Sequence, residues 1–288
     1  MARLKTLRQR LRLPGKPAAP RPDLPLQQRL RRGAWLGALL GALICLVLQA
    51  PAAWLAGVVA SASQGRVQLA EAEGTLWNGS AVTVLTAGSG SRDARALPGR
   101  LEWTLRPQGL SWQLRLRQAC CLNGWTELRL RPGLGRVRAE LIPGGAWLGL
   151  WPAAWLSGLG TPWNTLQPSG GLRLSTRNLT FEWVQGRFAV EGSADLELVD
   201  FASRLSTLPR LGSYRLSLSG DRAQAGTLQV QLSTLDGALL LSGQGSWSAS
   251  GFRLRGEASA AEADQAALNN LLNIIGRRDG ARSIISIG

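Results

Sequence analysis

Apolar and polar positions follow two patterns along the chain, and the change falls near residue 58. Residues 34–54 form an uncharged, mostly apolar stretch, AWLGALLGALICLVLQAPAAW. As a helix this stretch would span roughly 31 Å, close to the hydrocarbon thickness of a bilayer. Trp35 and Trp54 lie near its two ends, where indole rings favour the headgroup level. The pattern therefore predicts a single transmembrane helix within residues 33–58.

Beyond residue 58 apolar residues recur at every second position, as in residues 101–105 (LEWTL) and 228–232 (LQVQL). Half-buried antiparallel strands require this alternation, and turn signals such as Asn78-Gly79 recur between the runs. We therefore expect a mainly β fold, with a long antiparallel meander that forms a curved or trough-like sheet. Its two halves are predicted at about 66–141 and 170–257.

A charge-free connector, residues 142–169, separates the two halves. Its apolar run is too short to cross a membrane and contains Pro152. Two interpretations stay open: the connector covers the end of the β core, or it presents an exposed tryptophan patch to lipid or to a partner. The tryptophans concerned are Trp147, Trp151, Trp155 and Trp163.

The C-terminal end changes to a helical pattern, which predicts a short helix over residues 260–275. Ser259 and Glu262 have the spacing of a capping box, and Gly276 is a typical stop. Residues 283–287 suit a last strand at a sheet edge. The apolar stripe of the helix consists of Leu268, Leu271, Leu272 and Ile275.

The distribution of charge predicts a topology. The chain carries 33 Lys+Arg against 18 Asp+Glu, and its first segment, residues 1–32, is a basic Pro-rich tail that ends at Arg31 and Arg32. Because basic flanks stay in the cytoplasm, the tail is predicted inside and residues 59–288 in the periplasm of a bacterium. Arg31, Arg32, Trp35 and Trp54 would mark the membrane interfaces.

The role of the tail and the fate of the membrane helix each have an alternative interpretation. The first 13 residues suit a short basic helix on the inner leaflet, or the tail only fixes the topology; no nucleic-acid motif is found in it. Ala60-Ser61-Ala62 has the form of a signal-peptide cleavage site. Cleavage there would remove the anchor and leave a soluble periplasmic protein.

The sequence offers little for catalysis. It has no histidine, so Ser-His-Asp and Cys-His arrangements are excluded, and no phosphate-binding or dinucleotide-binding glycine motif occurs. Glu71 and Glu73 share a strand face, as do Asp195 and Glu197, and solvated strand faces explain these acids better than a paired-carboxylate site. We expect no enzymatic activity, no cofactor and no metal site.

Three cysteines are present. Cys45 lies in the predicted membrane helix, whereas Cys120 and Cys121 are adjacent and form a candidate redox pair. In an oxidising compartment this pair can close on itself, stay reduced and buried, or link two chains. So few cysteines exclude a disulfide framework, and a zinc site is not expected without histidine.

The segment Gly74-Thr75-Leu76-Trp77-Asn78-Gly79 predicts a strand, a tight Asn-Gly turn and a return strand over 81–85. It resembles the GTLW-x-G signature of the type II secretion system protein N family, and residues 101–107, 161–166, 211–214 and 271–288 also fit that family in order and spacing. The resemblance covers roughly residues 34–288. The motif residues are Gly74, Thr75, Leu76, Trp77 and Gly79, with Trp77 expected in the core and Gly79 in the turn.

The resemblance implies a non-enzymatic, bitopic inner-membrane subunit of the machine that exports folded proteins from the periplasm across the outer membrane. Its implied partners are the inner membrane and other inner-membrane platform subunits. A lipid-handling protein is the alternative, because a curved sheet with an apolar inner face can form an open trough. The discriminating feature is whether the connector and the C-terminal helix cover that face.

Overall fold

The computed structural model describes residues 24–88, 90–185, 187–221, 226–248 and 251–288. The chain separates into two compact units, Met1–Leu48 and Gln49–Gly288. Most of the predicted basic tail, residues 1–32, lies outside the described residues.

The described elements are four α-helices, two 3-10 helices and sixteen strands. The helices are α1 (Leu24–Leu48), α2 (Ala52–Ala62), α3 (Trp163–Leu166) and α4 (Gln265–Ile275), and the 3-10 helices are Ala153–Leu159 and Glu262–Asp264. The first eight strands are β1 (Val67–Gly74), β2 (Asn78–Thr86), β3 (Ala94–Ala96), β4 (Leu101–Gln108), β5 (Ser111–Gln118), β6 (Thr126–Gly133), β7 (Arg136–Ile142) and β8 (Gly149–Pro152). The others are β9 (Ser169–Val184), β10 (Arg187–Ala202), β11 (Gly212–Gly220), β12 (Thr227–Gly237), β13 (Leu239–Ser248), β14 (Gly251–Ala260), β15 (Arg277–Asp279) and β16 (Arg282–Ile287).

The first unit contains α1, whose apolar side chains are exposed. Leu36 and Leu39, for example, are 68% and 63% exposed. Within the part of the chain that the structure describes, no helix combines the length and the apolar character that a membrane crossing requires.

The structure corrects the prediction of one continuous helix over residues 33–58. α1 ends at Leu48, and Pro51 adopts extended backbone before α2 begins. Proline lacks an N–H and disfavours helical backbone at the residue before it. The Ala50 carbonyl instead accepts a hydrogen bond from the Leu76 N–H at 2.8 Å. Trp54, predicted as an interface anchor, therefore lies on α2 in the second unit.

The second unit is built on one antiparallel sheet. Its described strands follow the order β1-β2-β4-β5-β6-β7-β9-β10-β11-β12-β13-β14-β16-β15, with β3 beside β2 and β8 beside β9. The path ends at β1 and β15, so the sheet is open. The mainly β antiparallel meander is confirmed, and β7 pairs directly with β9 across the connector.

One face of the sheet is polar, and arginines on it pair with acids of neighbouring strands. Arg100 contacts both Glu71 and Glu73, at 3.5 and 3.3 Å. Asp195 and Glu197 are held in the same way by Arg177, Arg173 and Arg215. The acids considered for a carboxylate pair are thus members of cross-strand ion pairs. Such partly exposed pairs contribute less than about 1 kcal/mol each.

The other face is apolar and is covered by helical segments. Toward the N-terminal edge, Ala52 of α2 packs on Ala81 and Trp103, all three about 99–100% buried. Toward the C-terminal edge, Leu268 and Leu272 of α4 are fully buried against the sheet. Each helix removes the apolar side chains beneath it from water. This burial is the main contribution to the stability of a sheet that has one apolar face.

The connector also lies on this apolar face. It begins its helical part at Ala153, which is fully buried, and the indole N–H of Trp155 donates to the Arg95 carbonyl at 2.9 Å. Trp163 and Leu166 line an apolar cavity over the sheet. These contacts favour the interpretation that the connector covers the core.

The C-terminal helix starts later than the sequence predicts. Ser259 pairs within β14, so the capping box from Ser259 to Glu262 does not form, and α4 begins at Gln265 without a side-chain cap. Strand pairing of β13 with β14 continues through Ala260 and prevents helix formation there. The predicted last strand is present as β16, with β15 outside it at the edge.

We expect Leu272→Ala to destabilise the second unit by about 2–5 kcal/mol, because removing this fully buried side chain leaves a cavity between α4 and the sheet. Ile274→Ala on the same helix is the matched control, since Ile274 is 59% exposed, and should change stability by less than about 0.5 kcal/mol. Urea unfolding of the full chain, followed by tryptophan fluorescence, measures both. Equal losses for the two variants would contradict the packing of α4.

Candidate functional site

The Gly74–Gly79 motif forms a hairpin, but its turn is not at Asn78-Gly79. β1 ends at Gly74 and β2 begins at Asn78, so the loop is formed by Thr75, Leu76 and Trp77. The Thr75 N–H donates to the Asn78 carbonyl at 2.9 Å, and the Asn78 N–H donates to the Thr75 hydroxyl at 3.1 Å. Direct pairing of Gly74 with Gly79 prevents the two-residue Asn-Gly turn that the sequence predicts.

This hairpin loop binds the segment of chain that follows α1. The Leu76 N–H donates to the Ala50 carbonyl at 2.8 Å, and Pro51 forms an antiparallel bridge with Thr75. Ala52 is then buried in the cluster that contains Trp103. Residues 50–52 and the motif therefore form one joint, at which the chain enters the sheet.

Trp103 packs against the joint on the apolar face of the sheet. It is 1% exposed, and its indole N–H donates to the Leu76 carbonyl at 3.2 Å. Gly79 lies against it: a Cβ there would be 2.6 Å from Trp103 Cζ2 and 2.7 Å from the Glu73 carbonyl oxygen. Gly79 is thus required for close approach to the indole ring, not for a turn conformation.

Trp77 is half-buried, whereas the prediction placed it in the core. Its ring stacks on Trp112 with centroids 5.5 Å apart, and its carbonyl accepts the Leu105 N–H at 2.7 Å. The core position belongs to Trp103. The Trp77–Trp112 pair is therefore a partly accessible aromatic surface beside the joint.

The cysteine pair closes on itself. Cys120 and Cys121 are joined by a disulfide in the turn after β5, and the Cys121 carbonyl accepts the Leu150 N–H of β8 at 2.7 Å. Cys121 is buried and Cys120 is exposed. No group of three His, Cys, Asp or Glu residues suited to a metal ion occurs in the described ranges.

The predicted membrane-interface residues fall in two units. Arg31 and Trp35 are exposed on α1, and the side chain of Arg32 is outside the described part of the structure. Trp54 is 52% exposed on α2.

An apolar cavity of about 380 Å³ lies between the sheet, the connector and α4. Leucines of β9 to β13 form its floor, Leu156, Trp163 and Leu166 form the connector side, and Leu271 and Ile275 belong to α4. The sequence indicates an apolar sheet face through the alternating leucines. It does not indicate that the covering segments leave this volume open.

Tyr214 and Ser203 are the two hydroxyl residues of the cavity lining, and both hydroxyls are engaged by the wall. The Tyr214 hydroxyl donates to the Leu239 carbonyl at 3.0 Å, and the Ser203 hydroxyl donates to the Leu166 carbonyl at 2.6 Å. Burial raises the pKa of Tyr214 far above its usual value, Asp236 raises it further, and Arg210 opposes both. The cavity therefore presents hydrocarbon to its interior.

The second unit is thus an open antiparallel sheet with a polar face and a covered apolar face, and the loop of the Gly74–Gly79 motif holds residues 50–52 on it. Residues 65–285 match the family model of the type II secretion system (T2SS), protein N, and the chain belongs to this family. The family is a structural component of secretion. No curated protein and no solved structure matches the chain significantly.

Gly79→Ala is expected to destabilise the second unit by about 1–3 kcal/mol, because its Cβ has no space beside Trp103 and the Glu73 carbonyl. Gly57→Ala on α2 is the control, since a Cβ there meets nothing within 4 Å and alanine favours helix by about 1 kcal/mol. Urea unfolding measures the two free energies. A Gly79→Ala variant as stable as Gly57→Ala would contradict the close packing of the joint.

Tyr214 should make stability fall at alkaline pH. Its pKa is near 10 in the unfolded chain and higher in the fold, so its stabilisation is complete below about pH 10 and is lost as pH rises beyond that value. Tyr214→Phe should remove this slope and lose about 1 kcal/mol at neutral pH through the missing hydrogen bond. Thermal unfolding at pH 7–11 tests this, and parallel curves for both proteins would contradict it.

Proposed function

We propose that this chain is a non-enzymatic, bitopic subunit of the inner-membrane platform of the type II secretion system. The family match over residues 65–285 carries the proposal. In this role the chain takes part in the export of folded proteins from the periplasm across the outer membrane. Its N-terminal tail lies in the cytoplasm, and residues 59–288 lie in the periplasm.

The anchoring step rests on residues 34–48, the part of α1 that falls within the uncharged stretch. The exposed leucines of α1, Leu36, Leu39, Leu40 and Leu43 among them, are an apolar surface that lipid would cover. The basic residues before it favour the cytoplasmic side. Confining the sheet to the periplasmic surface raises its effective concentration near other platform subunits without any new contact.

The joint at residues 50–52 fixes the point where the chain enters the sheet, because the Leu76 N–H donates to the Ala50 carbonyl. The half-buried Trp77–Trp112 pair lies beside this point. We therefore infer that the motif fixes the start of the sheet and presents this aromatic surface to a platform subunit.

In a strain whose secretion system is active, deletion of the gene should leave exoproteins in the periplasm and lower their level in the medium at least about tenfold. The full chain should restore secretion. A variant with Leu40→Arg and Leu43→Arg should not, because each arginine costs about 2.5–3.5 kcal/mol at the centre of a membrane helix.

The matched control places the same two arginines at Leu110 and Leu134, which are fully exposed at hairpin turns. This variant should complement the deletion and remain in the membrane fraction. Unchanged secretion after the deletion would overturn the proposed role, and membrane retention of the α1 variant with full complementation would overturn the anchor.

A further inference from the structure

We propose that the cavity between the connector and α4 binds a single-chain amphiphile, with its hydrocarbon chain in the cavity and its anionic head beside Arg204. This proposal goes beyond secretion and does not depend on it. It rests on the lining of the cavity and on a second, basic pocket on the other side of the same connector.

The cavity wall is suited to hydrocarbon. Fifteen of its seventeen lining residues are apolar or aromatic without a hydroxyl, and the two hydroxyls donate to wall carbonyls. Leu196, Leu216 and Leu232 of its floor are only half-buried although they lie over the centre of the sheet. An apolar volume of this kind favours apolar ligands over water.

The volume of the cavity limits the ligand to a narrow molecule. About 380 Å³ lies near the lower end of the range of about 300–1,000 Å³ that small-molecule sites occupy. One hydrocarbon chain fits such a volume, and its burial removes apolar surface from water. The occupant is therefore one chain and not the body of a two-chain lipid.

Connector residues, together with Ser203 and Arg204, form the shared boundary between this cavity and a basic pocket. Consecutive residues face opposite sides: Leu156, Trp163, Leu166 and Ser203 line the cavity, whereas Ser157, Asn164, Gln167 and Arg204 line the other pocket. That second pocket also contains Arg92, Arg95 and Asp93, so three arginines face one acid. A guanidinium binds carboxylate or phosphate through paired hydrogen bonds, which makes an anionic head the complementary partner.

The test uses the purified full chain in lipid nanodiscs and hexadecanoate that carries a photoactivatable diazirine. After irradiation, mass spectrometry should locate the label in the connector and in α4. Labelling of α1 by membrane-dissolved probe serves as the internal reference. Label confined to α1 would overturn the proposal.

Leu241→Trp narrows the cavity and should lower connector and α4 labelling at least about tenfold relative to α1. Leu240→Trp is the control, because Leu240 is the next residue and is exposed outside the lining; it should label as the natural chain does. Thermal unfolding shows whether each variant is folded, and Leu232→Trp replaces Leu241→Trp if that variant does not fold. Equal labelling of the folded cavity and control variants would contradict the site.

Arg204→Gln tests the head group. It should weaken labelling by the carboxylate probe severalfold and leave a neutral diazirine-hexadecanol probe unchanged. A two-chain diazirine phospholipid should label α1 without labelling the cavity. Equal effects on both single-chain probes would overturn the anionic head, and cavity labelling by the phospholipid would overturn the single-chain assignment.

Discussion

A sheet with one polar and one apolar face is stable only when the apolar face is removed from water, and the rest of this fold follows from that constraint. The polar face is satisfied by cross-strand ion pairs and by solvent. The apolar face is too long for one helix, so three segments from different parts of the sequence cover it: α2 at one end, the connector near the middle and α4 toward the other end. Because these covers are separate, the packing between them is incomplete, and an apolar cavity remains.

The same constraint accounts for the contacts that the Gly74–Gly79 motif makes. Ala52 can be buried only if the chain after α1 is brought onto the sheet, and the Leu76–Ala50 hydrogen bond provides that contact. Trp103 fills the space below, and Gly79 gives it room. The motif is therefore a packing device for the start of the second unit. Its Trp77 is half-buried and stacks on Trp112.

The sequence predicted those features that depend on local periodicity. Strands, the polar face and the apolar stripe of α4 follow from side-chain alternation, and all are present. The features that depend on distant contacts were missed. The turn lies at residues 75–77 because Gly74 pairs directly with Gly79. The helix ends before Pro51, and the Ala50 carbonyl accepts its hydrogen bond from Leu76. Ser259 lies in a strand because β13 pairs with it. The cavity depends on how three separate segments meet, which no local pattern encodes.

The proposed function places the surface beside the joint in contact with other subunits of the platform. Photo-crosslinking in living cells tests it most directly, with a crosslinking amino acid placed in turn at exposed positions within residues 66–100 and at position 240 as a distant control. The account predicts adducts with inner-membrane platform subunits from the first region and none from the control. Adducts at neither region, or equal adducts at both, in cells that actively secrete would contradict it.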